Sequence, residues 1–405
     1  MLRQGCGGWS RRRQTPQPVT ARPGALIITL ILFLASCGGP TLPVLKIYSD
    51  QPVSWTNKEP CRVDYLYEGD SLHFDAKIKY RGGVSSKYHK QSYTIRLKER
   101  FAMVDMPADR DWIINAAYID KTFMRHKISF DLFREMDYTN IAPRCRYIDV
   151  YRGKKYQGIY ILMERMDATR LGLERNDGSA MMFKDPPVFF KERLKMVQDT
   201  ANYYHQKYPN KDKDDKTAYI ESFRELLFKS SDVDFKHNIH EWVDLENVVD
   251  LHLLLLFTNN SDGLRKNFYL YKIDSDTPFR FAIWDYDHSF GRDGDNEMNM
   301  LEVLIDDDQS VLFKRLKETN ASHYNKLLQE RWIELRKTNI FSNTNIALHI
   351  KENHEQLAAS LDRNFEVWPV SSKWYFDDND YEEEIEIIKE FVEKRLVQLD
   401  KEFGY

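Results

Sequence analysis

Apolar and polar residues alternate from position 72 to 80, with Leu72, Phe74, Ala76, Ile78 and Tyr80 on one face and His73, Asp75, Lys77 and Lys79 on the other. Period two marks a half-buried strand. A polar turn follows at 81–86 (RGGVSS), then a second alternating run at Tyr93, Ile95 and Leu97. Together they predict a hairpin with a long loop. A short apolar run at 112–114 comes next. Asp120 then stands ahead of Phe123, Ile128, Leu132 and Phe133, where helical spacing predicts a helix with Asp120 as its N-cap. Residues 147–151 and 158–163 flank a turn at 152–154 and read as another hairpin. Its second strand is apolar enough to be central in a sheet.

Beyond Thr169 the pattern changes. Residues 191–257 are helix-rich and charged, broken by a solvated loop at 208–216 (YPNKDKDDK). Asp244 is placed to cap a helix whose end, 251–257, is apolar nearly all round and so buried. Two short strands, 267–273 and 279–284, follow it. In the tail, Ile385, Ile388, Val392, Leu396 and Leu399 share one helical face. The expected fold class is therefore α+β, with a strand-rich part at 45–169 and a helical part at 170–405 that carries a small hairpin. This layout resembles that of a two-lobed nucleotide-binding enzyme with its cleft between the lobes.

The N-terminus has its own pattern. Five arginines and no acid precede Asp50, and an apolar run at 25–35 (ALIITLILFLA) is too short to span a bilayer. A basic stretch ahead of a short apolar core reads as a secretory signal. The run ends Leu34-Ala35-Ser36-Cys37 and resembles a bacterial lipobox, which implies lipidation at Cys37 and a tether at 37–44. The expectation is a bacterial envelope protein anchored in the membrane, on the periplasmic or surface side of the outer membrane. Cys61 and Cys145 remain in the mature chain, and an oxidising compartment leaves both pairing and separate thiols open.

Composition narrows the function classes. The 405 residues are 42% apolar and 30% charged, too apolar for a disordered chain, and four cysteines are too few for a disulfide-framed module. The formal charge of −4 falls to about −9 without the five leader arginines, so the chain has no electrostatic footprint for nucleic acid.

Candidate chemistry concentrates at 259–291 (NNSDGLRKNFYLYKIDSDTPFRFAIWDYDHSFG). A buried helix ends, a polar loop offers Asp262 and then Asn267, and a hairpin leads to Asp285 and Asp287. Mg²⁺ seeks oxygen ligands, and period two brings the last two carboxylates to one face, where like charges are costly without a cation. An ordinary acidic turn is the competing reading. His237 and His240 lack a third ligand at a supporting spacing and read as surface residues.

The order of helix, Asp-x4-Asn loop, hairpin and strand-terminal Asp resembles the catalytic segment of protein kinases. The chain as a whole resembles the spore-coat protein H (CotH) kinase-like family. The matching pieces are Arg81 to Ser86 with Lys90 to Tyr93, residues 112–125 (WIINAAYIDKTFMR), residues 158–164 (GIYILME), Asp262 with Asn267, Trp284 to Asp287 with Phe290-Gly291, and the closing helix around Phe391. The resemblance implies an atypical kinase fold that uses ATP with Mg²⁺ or Mn²⁺ and phosphorylates Ser or Thr of a protein acceptor. It implies Asp262 as the catalytic acid-base group, Asp285 and Asp287 as metal ligands, and Asn267 as a metal or nucleotide ligand. Lys90 is implied as the phosphate-facing lysine with Arg81 beside it, Lys87 and Lys98 being rivals. Glu164 would hold the nucleotide-facing connection or the lysine. Arg125 could reach phosphate or serve as a structural ion-pair partner. The glycines at 82–83 would offer backbone N–H groups to phosphate. There is no His-Arg before Asp262, no ordinary Gly-rich loop and no plain Asp-Phe-Gly. Three readings stand: a kinase-like transferase, a non-catalytic binding or scaffold lipoprotein, and a nucleotidyl transferase or hydrolase on the same residues.

Overall fold

Seven strands close into a barrel in the computed structural model of the chain. The structure describes residues 41–173, 178–190, 200–292, 305–371, 373, 375 and 377–405. The expected signal sequence and the first half of the tether, with the lipidation site Cys37, lie outside them. Residues Gly39–Tyr405 form one compact unit.

The barrel strands are β1 (Val44–Tyr48), β2 (Glu59–Tyr67), β3 (Asp70–Arg81), β4 (Ser92–Phe101), β5 (Asp109–Asn115), β6 (Cys145–Arg152) and β7 (Lys155–Glu164), in the order β1-β2-β3-β4-β5-β7-β6. All neighbours are antiparallel except the closing pair, β1 and β6, which run parallel with Leu45 opposite Val150. Alternate residues point inward: Ile47, Val63, Ile78, Ile95, Trp112, Ile114, Val150, Tyr160 and Leu162 build the interior. On β3 the outward residues are polar, which gives the alternation. On β5, β6 and β7 the outward residues Ile113, Tyr147, Ile159, Ile161 and Met163 are buried in a second core shared with the helices. Burial on both faces explains why β7 reads as a continuous apolar run.

The helices are α1 (Arg125–Met136), α2 (Thr217–Lys229), α3 (Asp232–Trp242), α4 (Leu245–Thr258), α5 (Val311–Thr319), α6 (Tyr324–Lys337), α7 (Asn343–Val367) and α8 (Tyr381–Phe403). Helix α4 is buried from Asn247 to Thr258, and Asp244 caps it by accepting the Asn247 N–H (3.0 Å). The α8 stripe, Ile385 to Leu399, is buried as its spacing predicts. Asp120 is not the N-cap of α1, which is Met124 with no side-chain bond. Its carboxylate reaches over the preceding turn instead and accepts the Arg125 N–H (2.8 Å). Helix α7 lies on β6 and β7. There the Asn364 Oδ1 accepts the Ile159 N–H (3.0 Å), so close that a Cβ on Gly158 would sit 2.5 Å from that oxygen.

A second sheet of order β11-β10-β8-β9 joins β8 (Met181–Lys184), β9 (Gln206–Tyr208), β10 (Phe268–Lys272) and β11 (Arg280–Ile283). The pattern at 267–284 anticipates only β10 and β11. Four- and three-residue strands are too short to show a period, so β8 and β9 escape the sequence. The chain is mixed α/β as expected, strand-rich first and helical afterwards. The N-terminal strands form a closed barrel rather than separate hairpins, because the parallel β1–β6 pairing joins residues too far apart for a local pattern to reveal. Cys61 on β2 and Cys145 on β6 are free thiols, and burial pushes them up to about 11 and about 12. Among the described residues no helix is long and apolar enough to cross a membrane.

Candidate active site

Helix α4 ends on Asn259 in the left-handed conformation (φ 56°), which turns the chain sharply towards the barrel. Asp262 follows in a short 3-10 turn, Ser261–Leu264, and the Asn260 side chain accepts the Gly263 N–H (3.2 Å) to hold that turn. A Cβ on Gly263 would lie 2.2 Å from Leu255, so the loop rests directly on the buried helix. The strands β10 and β11 then carry the chain out and back to Trp284.

Asp285 does not continue β11. The strand ends at Ile283, and Asp285 has φ 59°, uncommon for a residue with a side chain. The period-two argument thus fails in detail, yet the turn brings Asp285 and Asp287 together. Their carboxylate oxygens and a ring nitrogen of His126 lie within 4.8 Å of one another. Asn267, also left-handed (φ 68°), donates its Nδ2–H to the main-chain oxygen of Asp285 (3.0 Å), leaving the amide oxygen for another partner. The segment beyond is pinned by main-chain bonds: Tyr286 N–H to His126 Nδ1 (2.8 Å), Phe290 N–H to the Thr258 oxygen (2.9 Å) and the Arg125 Nε–H to the Ser289 oxygen (3.0 Å).

These groups face one cleft of about 780 Å³ between the barrel mouth and the α4–β10 loop. Asp262, Asn267, Asp285, Asp287, Arg81 and Lys90 all line it, so it gathers most of the residues singled out in the sequence. Burial, and then the charge of Asp285, raise the Asp287 carboxyl above its usual range. Asp262 is one-third exposed and pairs with Lys266 (2.8 Å). Burial opposes the Lys266 charge, but the hydrogen bond and charge of Asp262, with Asp285 and Asp287 beyond, raise its pKa.

The cations divide sharply. Arg81 lies over the Trp284 ring (5.4 Å), and its buried Nη1 has no hydrogen-bond partner. Burial draws its pKa down while Asp285 counters. Lys90 lines the cleft, but its ammonium turns into the wall. It donates to the Ile159 carbonyl, lies over the Tyr160 ring (4.6 Å) and the Phe123 ring (5.0 Å), and burial holds its pKa well below the usual value. Glu164 is away from Lys90, buried at the end of β7 and paired with Arg144 (3.2 Å) and Arg170 (3.1 Å). Arg125 is fully buried and structural, bound to Asp120 (2.7 Å) and Glu384 (3.1 Å). In the 82–88 segment the N–H groups of Ser86 and Tyr88 are already spent on the carbonyls of Gly83 and Ser85 (both 3.2 Å). His237 and His240 are exposed on α3.

The sequence reading missed four groups. Lys266 was visible as a charge four residues beyond Asp262. Lys184 and Asp185 line the cleft from the end of β8, a strand with no readable period. His126 sits one residue past the motif that ends at Arg125.

A family model described as CotH kinase protein matches residues 78–399. The chain belongs to that family. The CotH match runs from the end of β3 into α8 and takes in every residue of the cleft's acid cluster. The chain is also 26% identical over 235 residues to the inner spore coat protein H of Bacillus subtilis (strain 168), a match spanning 57% of this chain and 63% of that protein. The aligned region is thus under two-thirds of the relative's length.

Two carboxylates gathered with the His126 ring suit a divalent cation, and Asn267 lines the same cleft. Burial first and the charge of Asp285 second raise the Asp287 carboxyl, and a cation would relieve the second of these.

Proposed function

We propose that this CotH family member is a kinase-like phosphotransferase, moving the γ-phosphate of ATP to a Ser or Thr hydroxyl of a protein. The observation that carries the reading is the convergence of Asp262, Asn267, Asp285 and Asp287 in one cleft, facing an arginine with an unused buried N–H. Asp285, Asp287 and the Asn267 amide oxygen would hold Mg²⁺ or Mn²⁺, which neutralises phosphate charge. Arg81, with Lys266 and Lys184, would bind phosphate oxygens. Arg81 replaces Lys90 as the chief phosphate contact, because the Lys90 ammonium is committed to the wall. Asp262 would take the acceptor hydroxyl proton as the new O–P bond forms and the bond to the β-phosphate oxygen breaks, ADP leaving with the electron pair. The base would occupy the neighbouring cavity of about 360 Å³, lined by Arg165 to Thr169, Met182 and Tyr269, beside the connection that follows β7.

The test is ATP-dependent thermal stabilisation with Mg²⁺ or Mn²⁺, and label transfer from γ-labelled ATP to a Ser-containing acceptor. Asp262→Ala should keep the stabilisation and lose about 10²–10⁴ in transfer rate. Label arriving from the α-phosphate would mean nucleotidyl transfer. The Asp262–Lys266 ion pair favours a second reading, a scaffold in which Asp262 serves as a salt-bridge partner. No stabilisation by ATP with either metal would establish that one. The envelope anchor is part of the proposal, and Cys37→Ser should release the protein from the membrane fraction.

A further inference from the structure

Asp185 lines the cleft beside Asp262, Asp285 and Asp287, and could be taken for a further metal ligand. Its bonds give it a different role. It is not in the group whose donor atoms lie within 4.8 Å of one another. Both its oxygens are engaged within the protein. Oδ1 accepts the Phe268 main-chain N–H (3.1 Å), and Oδ2 pairs with Lys184 (3.5 Å).

The bond from Phe268 completes an interrupted ladder. Strands β8 and β10 are antiparallel, with Phe183 opposite Leu270 and Lys184 opposite Tyr269. The next position sets Asp185 opposite Phe268, where a regular ladder exchanges two main-chain bonds. One is made, from the Asp185 N–H to the Phe268 oxygen (3.1 Å). Asp185 itself is left-handed (φ 49°), a conformation that Asp and Asn adopt more readily than other side-chain-bearing residues. The return bond goes to its carboxylate instead of its carbonyl. Phe268 is 2% exposed, so its N–H would be costly to leave unpaired. The residue before it is Asn267, also left-handed. The Asn267 main-chain oxygen accepts the Trp284 N–H (2.8 Å), and its side chain donates to the Asp285 oxygen (3.0 Å). We propose that Asp185 is a positioning residue for the cation site: its carboxylate replaces a missing main-chain acceptor, fixes Phe268, and through it sets Asn267, which holds the Asp285 turn. Position 185 must then supply an acceptor rather than a charge. The inference rests on the metal-binding reading of Asp285 given above, but not on phosphoryl transfer.

The test reads Mn²⁺ affinity by electron paramagnetic resonance titration without nucleotide, and hydrogen exchange of the Phe268 amide in metal-free protein. Asp185→Asn keeps both the acceptor and the left-handed turn. It should protect the Phe268 amide and bind Mn²⁺ as wild type does. Asp185→Gly keeps the turn but has no acceptor. Its Phe268 amide should exchange faster, and Mn²⁺ should bind about tenfold more weakly. In Asn267→Ala protein the same Asp185→Gly change should cost far less affinity, because its effect runs through Asn267. Equal weakening by Asp185→Asn and Asp185→Gly would make the charge the working group, as in a direct ligand, and overturn the proposal. So would wild-type affinity in Asp185→Gly, or an undiminished loss in the Asn267→Ala background. Wild-type protein that binds no Mn²⁺ would overturn the metal reading, whereas an unprotected Phe268 amide in wild type would overturn the hold itself, so the two failures are distinguishable.

Discussion

Two groups of ionised side chains lie at the two ends of the segment from Asp285 to Arg292, and they follow opposite charge plans. At the far end Arg292 joins Lys121 and Arg125 against Asp120, Asp377 and Glu384, three cations against three anions. Glu384 is fully buried and meets Arg125 (3.1 Å), Lys121 (3.7 Å) and Arg292, and Arg292 also meets Asp377 (2.7 Å). At the near end Asp285 and Asp287 lie together, no lysine or arginine ion pair to either is found among the described residues, and Asp285 is 45% exposed on its side chain. The balanced group ties α1 to α8 and spends its charge on structure. The unbalanced group keeps its charge unspent, which is costly unless a ligand arrives.

The comparison breaks most visibly at Asp285. Asp285→Ala should reduce phosphoryl transfer by about 10³-fold and abolish stabilisation by Mn²⁺-ATP, with a melting temperature no lower than wild type. Glu384→Ala should do the reverse. Removing one partner from the buried network leaves two arginines and a lysine under-compensated, at a cost of about 3–5 kcal/mol in urea unfolding. Equal destabilisation by the two substitutions would erase the distinction.

A smaller effect separates the cations. Arg81→Met should weaken ATP binding by about 10–100-fold, the worth of a charge-assisted hydrogen bond. Lys90→Met should leave affinity within about threefold, because the Lys90 ammonium bonds the protein itself; titration calorimetry reads both. The smallest effect is a pH signature at Asp287. Its carboxyl titrates above the usual range when folded, so its contribution is fully present below the unfolded carboxylate value of about 3.9 and lost as pH rises through the folded value. Asp287→Asn does not incur that loss. The stability gap between variant and wild type should widen with rising pH in metal-free protein, and close when Mg²⁺ is added.

The sequence makes one of these regions far more readable than the other. Asp262, Asn267, Asp285 and Asp287 fall within one stretch of chain, and the hairpin between them has a visible pattern. Leu251 to Phe257, all apolar, signals the buried helix that supports them. The balanced network draws on Asp120, Arg292 and Glu384, distant in sequence and each unremarkable alone. Lys90 shows the opposite limit: the family resemblance makes it the expected phosphate-facing lysine, but the acceptor that captures it is a carbonyl on β7, which no spacing can announce. The barrel is hidden for a similar reason. The β3–β4 and β6–β7 hairpins are legible, but β1 and β2 are not, and closure depends on Leu45 meeting Val150.

That last pairing has a bearing on how the protein is made. β1 is the first strand to emerge and can pair on one edge with β2 at once, but its other edge must wait about 100 residues for β6. Until then the nascent sheet has an open strand of the kind that recruits other chains, and closure by so distant a pairing is a slow event. The protein would be most prone to aggregation in the interval between the appearance of β1 and that of β6, the stage at which a chaperone would have most to protect.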